Sequence, residues 1–207
     1  MIAAKTVTKV QDGDTILTFA KSIIVLQSLV RAHREGKRFK VIVVDSRPLF
    51  EGKAMTQTLV DHGLEVEYSL IHAISHTIRR ATKVFLGAHS MMSNGRLYSR
   101  AGTAMVAMMA KDADIPVIVC CETLKFTDRV ALDSVVLNEV APADELVPIS
   151  GGKAPSVLSS WREQANLQLL NIMYDLTPAE YIAVVITESG FLPPSSVPIV
   201  HRLTMGT

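Results

Sequence analysis

Polar side chains crowd one stretch of this 207-residue chain, GAHSMMSNGRLYSRAGT from Gly87 to Thr103. His89, Ser90, Ser93, Asn94, Arg96, Ser99 and Arg100 are more polar groups than a connector needs. Asn94-Gly95 reads as a turn with easy access to positive φ. Two guanidiniums stand out as anion grips: Arg47, just after an apolar run, and Arg100, where a helical pattern begins. Together they suggest a small phosphorylated ligand; the competing reading pairs them with Asp45 and other loop carboxylates. Catalysis is harder to place. Aldose–ketose isomerisation needs one group to take a proton from carbon and another to handle the hydroxyl proton. The corner after Thr18 offers Phe19 and Ala20, which move no protons. A neutral His89 imidazole could act as a base, yet it lacks a second group nearby and reads better as a solvent-facing or hydrogen-bonding histidine.

Other reactive residues lead nowhere. His72 and His76 are four apart, but His72 precedes the helical pattern and no third ligand is close, so no metal is expected. Cys120 and Cys121 are the only cysteines. Adjacent in sequence, they would form a strained disulfide, and on a strand they point to opposite faces as inert core thiols. A reducing compartment, cytosolic or nuclear, follows. No P-loop, nucleophile elbow or dinucleotide fingerprint is present, and no cofactor is expected.

The elements that must position these residues alternate in type. Gly13 to Thr18 is a turn and a strand; from Ser22, Ile23, Leu26, Val30 and His33 fall on one helical face that Gly36 stops. Phe39 to Val44 is a strand, Glu51 to His62 a helix, Val66 to Ile71 a strand and Ala73 to Ala81 a short helix. Lys83 to Leu86 is the fourth strand, Ala101 to Asp112 a helix of small residues, and Pro116 to Cys120 the fifth strand. This rhythm predicts right-handed βαβ units in a parallel sheet flanked by helices. Its ligand site belongs at the carboxyl edge, where Thr18–Ser22, Asp45–Gly52 and Gly87–Arg100 converge.

After Cys121 the rhythm loosens. Asn138 to Ser160 reads as an irregular insertion carrying Pro142, Pro148, Gly151, Gly152 and Pro155. Trp161 to Tyr174 regains helical spacing, and Thr177 with Pro178 sets up another helix start. Ala183 to Thr187 is a last strand, and Pro193 to Pro198 opens a closing helix or turn. Leu167, Leu169, Leu170 and Met173 exceed what one helical face needs, and Phe191, Leu192, Pro193 and Pro194 form an apolar loop. A partner covering both is the favoured reading, internal packing the competing one.

Composition bounds the function. Apolar residues make up 48%, and 21 basic residues nearly cancel 20 acidic ones, a net charge of +1. That balance argues against a broad nucleic-acid or anionic-membrane surface. No apolar run reaches the ~18 residues of a membrane helix, and no signal peptide opens the chain. Residues 1–207 suit one domain with a sizeable core. Met91, Met92, Met105, Met108 and Met109 cluster near the polar stretch and suit core filling or an interface. Met1 to Gln11 is only a short lead-in, and an α/β domain usually covers its first strand. The expectation is a C-terminal domain of a longer protein.

Three motifs then carry a resemblance. GDTILT (Gly13 to Thr18), VVDSRPLFEG (Val43 to Gly52) and GAHSMMSNGRLYSRAGT resemble the superfamily that joins methylthioribose-phosphate and ribose-bisphosphate isomerases to the regulatory subunits of eukaryotic translation initiation factor 2B. CCETLKFTDRV (Cys120 to Val130), NIMYDLTPAEYI (Asn171 to Ile182) and VITESGFLPPSSVPIV (Val185 to Val200) resemble its delta branch. The resemblance implies a Rossmann-like C-terminal regulatory domain, without that branch's N-terminal extension and helical region. The isomerases carry a catalytic cysteine where Ala20 stands and a catalytic aspartate where His89 stands, so isomerase activity should be lost. A vestigial pocket of Thr18, Ala20, Asp45, Arg47, His89, Asn94 and Arg100 is implied. The partner surface is expected at Leu167, Leu170, Met173, Tyr174, Phe191, Leu192 and Pro193. In that family delta pairs with beta and assembles with alpha, gamma and epsilon subunits in the cytoplasm. The complex exchanges guanine nucleotide on initiation factor 2, catalysis resides in another subunit, and the core senses phosphorylation of that factor's alpha subunit. An isolated domain could pair with itself. The alternatives are an active sugar-phosphate isomerase or a sugar-phosphate or nucleotide sensor.

Overall fold

The computed structural model describes residues 1–134, 138–148 and 156–205. Along the chain run α1 (Ile2–Val7), β1 (Thr15–Phe19), α2 (Ile23–Arg34), β2 (Lys40–Asp45), α3 (Glu51–Asp61) and β3 (Glu65–Leu70). Then follow α4 (Ile74–Thr77), flanked by 3-10 turns, β4 (Lys83–Gly87), β5 (Ser90–Met91), β6 (Leu97–Arg100), α5 (Thr103–Asp112) and β7 (Val117–Cys120). The last elements are β8 (Tyr174–Thr177), β9 (Val184–Ile186), β10 (Phe191–Leu192) and α6 (Val197–Met205).

Seven strands form one sheet in the order β10-β9-β7-β4-β1-β2-β3, parallel except for β10. Side chains alternate across it. Ile16, Val41, Val43, Phe85 and Ile118 enter one core, and Leu17, Ile42, Val44, Val84 and Leu86 the other. Continuous apolar strands follow from this, because both faces are covered. Cys120 and Cys121 are free thiols in opposite cores. Burial pushes each up to about 12, so neither is a thiolate at neutral pH. No helix among the described residues is long and apolar enough to cross a membrane.

Helix α2 begins where expected: Ser22 is its N-cap, its Oγ accepting from the Val25 N–H at 3.4 Å. Its inward face departs from the predicted stripe at one position. Ile23 is 64% exposed, while Val25, Leu29 and Ala32 are buried. Val30 joins the core they enter and Leu26 packs against it, so of the predicted apolar stripe Ile23 alone turns outward. Helix α1 lies within the predicted lead-in and buries Ile2 and Val7 in the same core as Ile16. It packs on α2 and beside β9, with Thr6 Oγ1 3.6 Å from Cys120 Sγ of β7.

The stretch from Gly87 to Thr103 is not one loop. It folds as a β5–β6 hairpin, and β6 pairs antiparallel with β8 in a second, three-stranded sheet. This pairing corrects two expectations. Trp161 to Tyr174 is no helix: only Trp161–Glu163 makes a 3-10 turn. Leucines spaced by three suit a helix, yet Tyr174–Thr177 completes the β6 ladder from Arg100↔Tyr174 to Leu97↔Thr177, with Tyr174, Leu176 and Thr177 buried. A helix there would leave the β6 edge unpaired. Thr177 consequently ends a strand, and Pro178 leads a 3-10 turn at Ala179–Tyr181. Phe191–Leu192 is likewise a strand, paired with β9 through Phe191↔Ile186. Gly151, Gly152 and Pro155 of the insertion lie outside the described residues.

Candidate functional site

Strand order reverses between β1 and β4: the chain runs from β1 outward to β2 and β3, then returns to β4 on the other side. Open α/β sheets place ligands at this switch point, beyond the strand carboxyl ends. A cleft of about 250 Å³ lies there, lined by residues 19–24 after β1, residues 86–89 after β4, Ser99, Arg100, Thr103, Lys125 and Tyr174. Its walls approach closely. A Cβ on Gly87 would come within 2.4 Å of Ser22 Oγ, so only glycine lets the end of β4 reach the cap of α2. Ala20 holds φ +53°, turning the chain from β1 toward that helix.

Of the predicted pocket residues, Ala20, His89 and Arg100 meet in this cleft. Arg100 is already engaged: its Nε and Nη2 donate to the Glu51 carboxylate at 2.8 and 2.9 Å, and its guanidinium stands over the Tyr174 ring at 5.1 Å. The ion-pair reading therefore describes Arg100, with Glu51 rather than Asp45 as partner. His89 is exposed, its ring tilted against Tyr174 at 4.6 Å and edge-on to Tyr98 at 5.6 Å.

Asp45, Arg47, Thr18 and Asn94 lie elsewhere. Asp45 is buried, accepting from Tyr68 Oη at 3.0 Å and from the Ser46 N–H at 2.9 Å. Burial, together with that bond to Asp45, pushes the Tyr68 phenol up to about 12. A Cβ on Gly52 would sit 2.7 Å from Asp45 Cγ, so this carboxylate fixes the start of α3. Arg47 lines a separate 30 Å³ recess with Ala20, Glu51 and Asn171, and its Nη2 donates to the Pro148 carbonyl. Thr18 is fully buried beneath the cleft. Asn94 is at the hairpin tip, donating to the Ala131 carbonyl at 2.9 Å.

Sequence reasoning missed Lys21 and Lys125. Lys125 sits on a 3-10 turn after β7, a fourth corner at the same sheet edge that the strand ending at Cys120 could have signalled. Its Nζ donates to the Ala88 carbonyl at 3.3 Å. The cleft thus gathers Lys21, Lys125, Arg100 and the positive end of α2. No thiol or carboxyl belongs to its lining among the described residues. Such a site can hold an anion, and its lining offers imidazole, amine and phenol groups but neither a thiol nor a carboxylate.

The predicted interface residues are scattered. Leu170 is 71% exposed, and beside it Ile172 bridges Val140, both exposed. Leu167 and Met173 are half-buried, and Tyr174 is buried, stacked on Tyr98 at 4.8 Å. Phe191 lies at the far sheet edge under Lys9 Nζ, 4.6 Å from the ring centroid. Leu192 packs inward, and Pro193 precedes a 3-10 turn with Pro194 buried.

The chain matches the model of the initiation factor 2 subunit family over residues 1–194. It is 47% identical over 195 residues to translation initiation factor eIF2B subunit delta of Schizosaccharomyces pombe, covering 93% of this chain and 42% of that protein. It is also 35% identical over 186 residues to ribose 1,5-bisphosphate isomerase of Pyrococcus furiosus, covering 90% of this chain and 55% of that enzyme. Among solved structures, a chain of the tetrameric eIF2B beta2-delta2 complex from C. thermophilum superposes with a TM-score of 0.76 at 33% identity, over 89% of this chain and 54% of that one. The chain spans about half the length of these relatives or less. It belongs to the initiation factor 2 subunit family.

Proposed function

We propose that this chain is the regulatory and assembly part of a delta-type subunit of eIF2B, with no isomerase activity of its own. The observation that carries this reading is the cleft: at the two positions where the resemblance places the isomerases' catalytic cysteine and aspartate, it presents Ala20 and His89. The greater identity to an eIF2B delta subunit than to an isomerase supports it. A beta subunit is the first partner, as in the complex from C. thermophilum. The apolar patch of Val140, Leu170 and Ile172 is the surface it covers. Alpha, gamma and epsilon subunits complete the assembly in the cytoplasm. There it serves guanine-nucleotide exchange on initiation factor 2 and senses phosphorylation of that factor's alpha subunit, linking it to the integrated stress response.

The test of the chemical half is incubation with ribose 1,5-bisphosphate and with methylthioribose 1-phosphate. No turnover is expected; turnover that disappears in His89→Ala would overturn the reading. A second reading, a sugar-phosphate or nucleotide sensor, is favoured by the cations around the α2 N-terminus. Calorimetry with each ligand, on the wild type and on Lys125→Ala, separates it from a pocket that is merely vestigial.

A further inference from the structure

Helices α1, α2 and α3 cover one face of the large sheet, and α5 with the small sheet covers the other. Between the three helices runs a groove of about 420 Å³. It is lined by Ala3 of α1, Leu26, Val30, Arg31 and Arg34 of α2, and Thr58 of α3, with His62 at the end of α3. Leu26 and Val30 belong to the core packing, so the apolar part of the groove rests on a fixed base. The groove lies on the opposite face of the sheet from the small sheet that Leu170 and Ile172 lead into, and it is separate from the cationic cleft.

Character changes along α2 from apolar to cationic. Ile23, Gln27, Val30 and Arg34 recur at helical spacing and form one stripe. At its start Ile23 is 64% exposed. At its end Arg31, Arg34, Lys37 and Arg38 fall within eight residues, with Glu35 the one carboxylate among them. Arg31 Nε donates to Glu35 at 2.7 Å, but both side chains are about half exposed, and such a pair is held weakly. Arg34 is exposed and makes no ion pair among the described residues. No carboxylate lines the groove. Cations at the last turn of a helix complement its dipole, and these also leave a positive end on an otherwise apolar trough.

We infer that this groove docks an acidic amphipathic helix of a partner protein. Its walls are helices whose backbone groups are paired internally, so they offer no strand edge to an extended peptide, whereas a helix can lay an apolar stripe between them. From Ile23 to Arg34 the stripe runs about 16 Å, room for about three helical turns. The partner helix lies antiparallel to α2. Its apolar stripe meets Leu26 and Val30, and its first turn reaches Arg31 and Arg34. Acidic residues in that first turn suit both the guanidiniums and the positive end of the partner's own dipole. The chain's near-neutral net charge of +1 makes this a local complementarity rather than a general attraction to polyanions.

The test is fluorescence anisotropy of the labelled peptide SEEELAKLLAQLAK, acetylated and amidated, with the 207-residue chain. Its glutamates occupy the first helical turn and its leucines one face. Saturable binding is expected. Exchanging the three glutamates for lysine, or the four leucines for alanine, should each weaken it at least about tenfold. Raising salt from about 50 to 300 mM should weaken it about threefold. Arg34→Glu should invert the preference, so that the lysine peptide binds the variant more tightly than the glutamate peptide does. Amide shifts should move at Ala3, Gln27 and Thr58, and stay in place at Lys21 and Lys125. Absence of binding, loss of the effect of either peptide exchange, or a footprint on the cleft instead of the groove would each overturn the inference. Self-association of the chain with a footprint on the groove would overturn it too, making the groove a contact between copies. Should Arg34→Glu fail to fold by circular dichroism, the peptide exchanges and the footprint decide.

Discussion

Arg100 and Glu51 form a two-pronged ion pair at the cleft wall, with N–O distances of 2.8 and 2.9 Å and both side chains about 30% exposed. The pair spends on the protein's own carboxylate a guanidinium whose geometry also suits a phosphate. It also ties the start of α3 to the end of β6, and so fastens the small sheet to a helix that packs on the large one. Glu51→Gln should move two quantities in opposite directions. Thermal stability should fall, by about 1 kcal/mol for a half-exposed pair. Affinity for inorganic phosphate should rise about fivefold, because the released guanidinium regains a free anion site. Calorimetry on the wild type, Glu51→Gln and Arg100→Ala checks both. Phosphate binding unaltered by Glu51→Gln would place Arg100 outside the anion's reach.

At the opposite end of the sheet, Lys83 Nζ donates to both Asp14 oxygens, at 2.7 and 2.6 Å, and Thr82 and the Gln11 N–H add further bonds. Burial tends to raise this carboxyl, but the Lys83 ammonium and these donors outweigh it and hold Asp14 below its ordinary value of 3.8. A depressed folded-state value stabilises above the unfolded one and is lost as pH falls through the folded one. The wild type should therefore lose stability below about pH 4. Asp14→Asn should cost about 2 kcal/mol at pH 7 and flatten that acid limb. Urea midpoints measured between pH 2.5 and 7 report both effects.

Gly102 holds φ +110° with the Phe19 ring 2.5 Å from where a Cβ would stand. Alanine there faces backbone strain and a clash together, so Gly102→Ala should cost about 2–3 kcal/mol. Gly13, with φ +85° and nothing within 4 Å, isolates the backbone part; Gly13→Ala should cost about 1 kcal/mol. Chemical denaturation of the two variants gives the comparison. Equal losses would show that the ring moves aside without cost.

How far these features could be read in advance depends on how local their causes are. Ser22 before the α2 period and the runs of β1, β2, β4 and β7 announce themselves, because capping and strand burial are written within a few residues. The Tyr174–Thr177 strand does not. Its partner β6 lies more than seventy residues earlier, while the nearby leucines repeat at a helical spacing. Arg100 could be read as an anion grip or an ion-pair member, but Glu51 could not be named, since 49 residues separate them. Lys125 escaped because its turn follows β7, a corner left out of the site.

If this chain is kept for the surfaces it shows to other subunits, a single mass measurement bears on it most directly. Leu170 is 71% exposed beside Ile172 and Val140, so glutamate at that position should not disturb folding. Sedimentation of the chain mixed with an eIF2B beta subunit should show a joint species. Leu170→Glu should weaken that species at least tenfold, with an unchanged circular dichroism spectrum. Sedimentation of the two proteins as separate species at micromolar concentration, with both folded, would contradict the account.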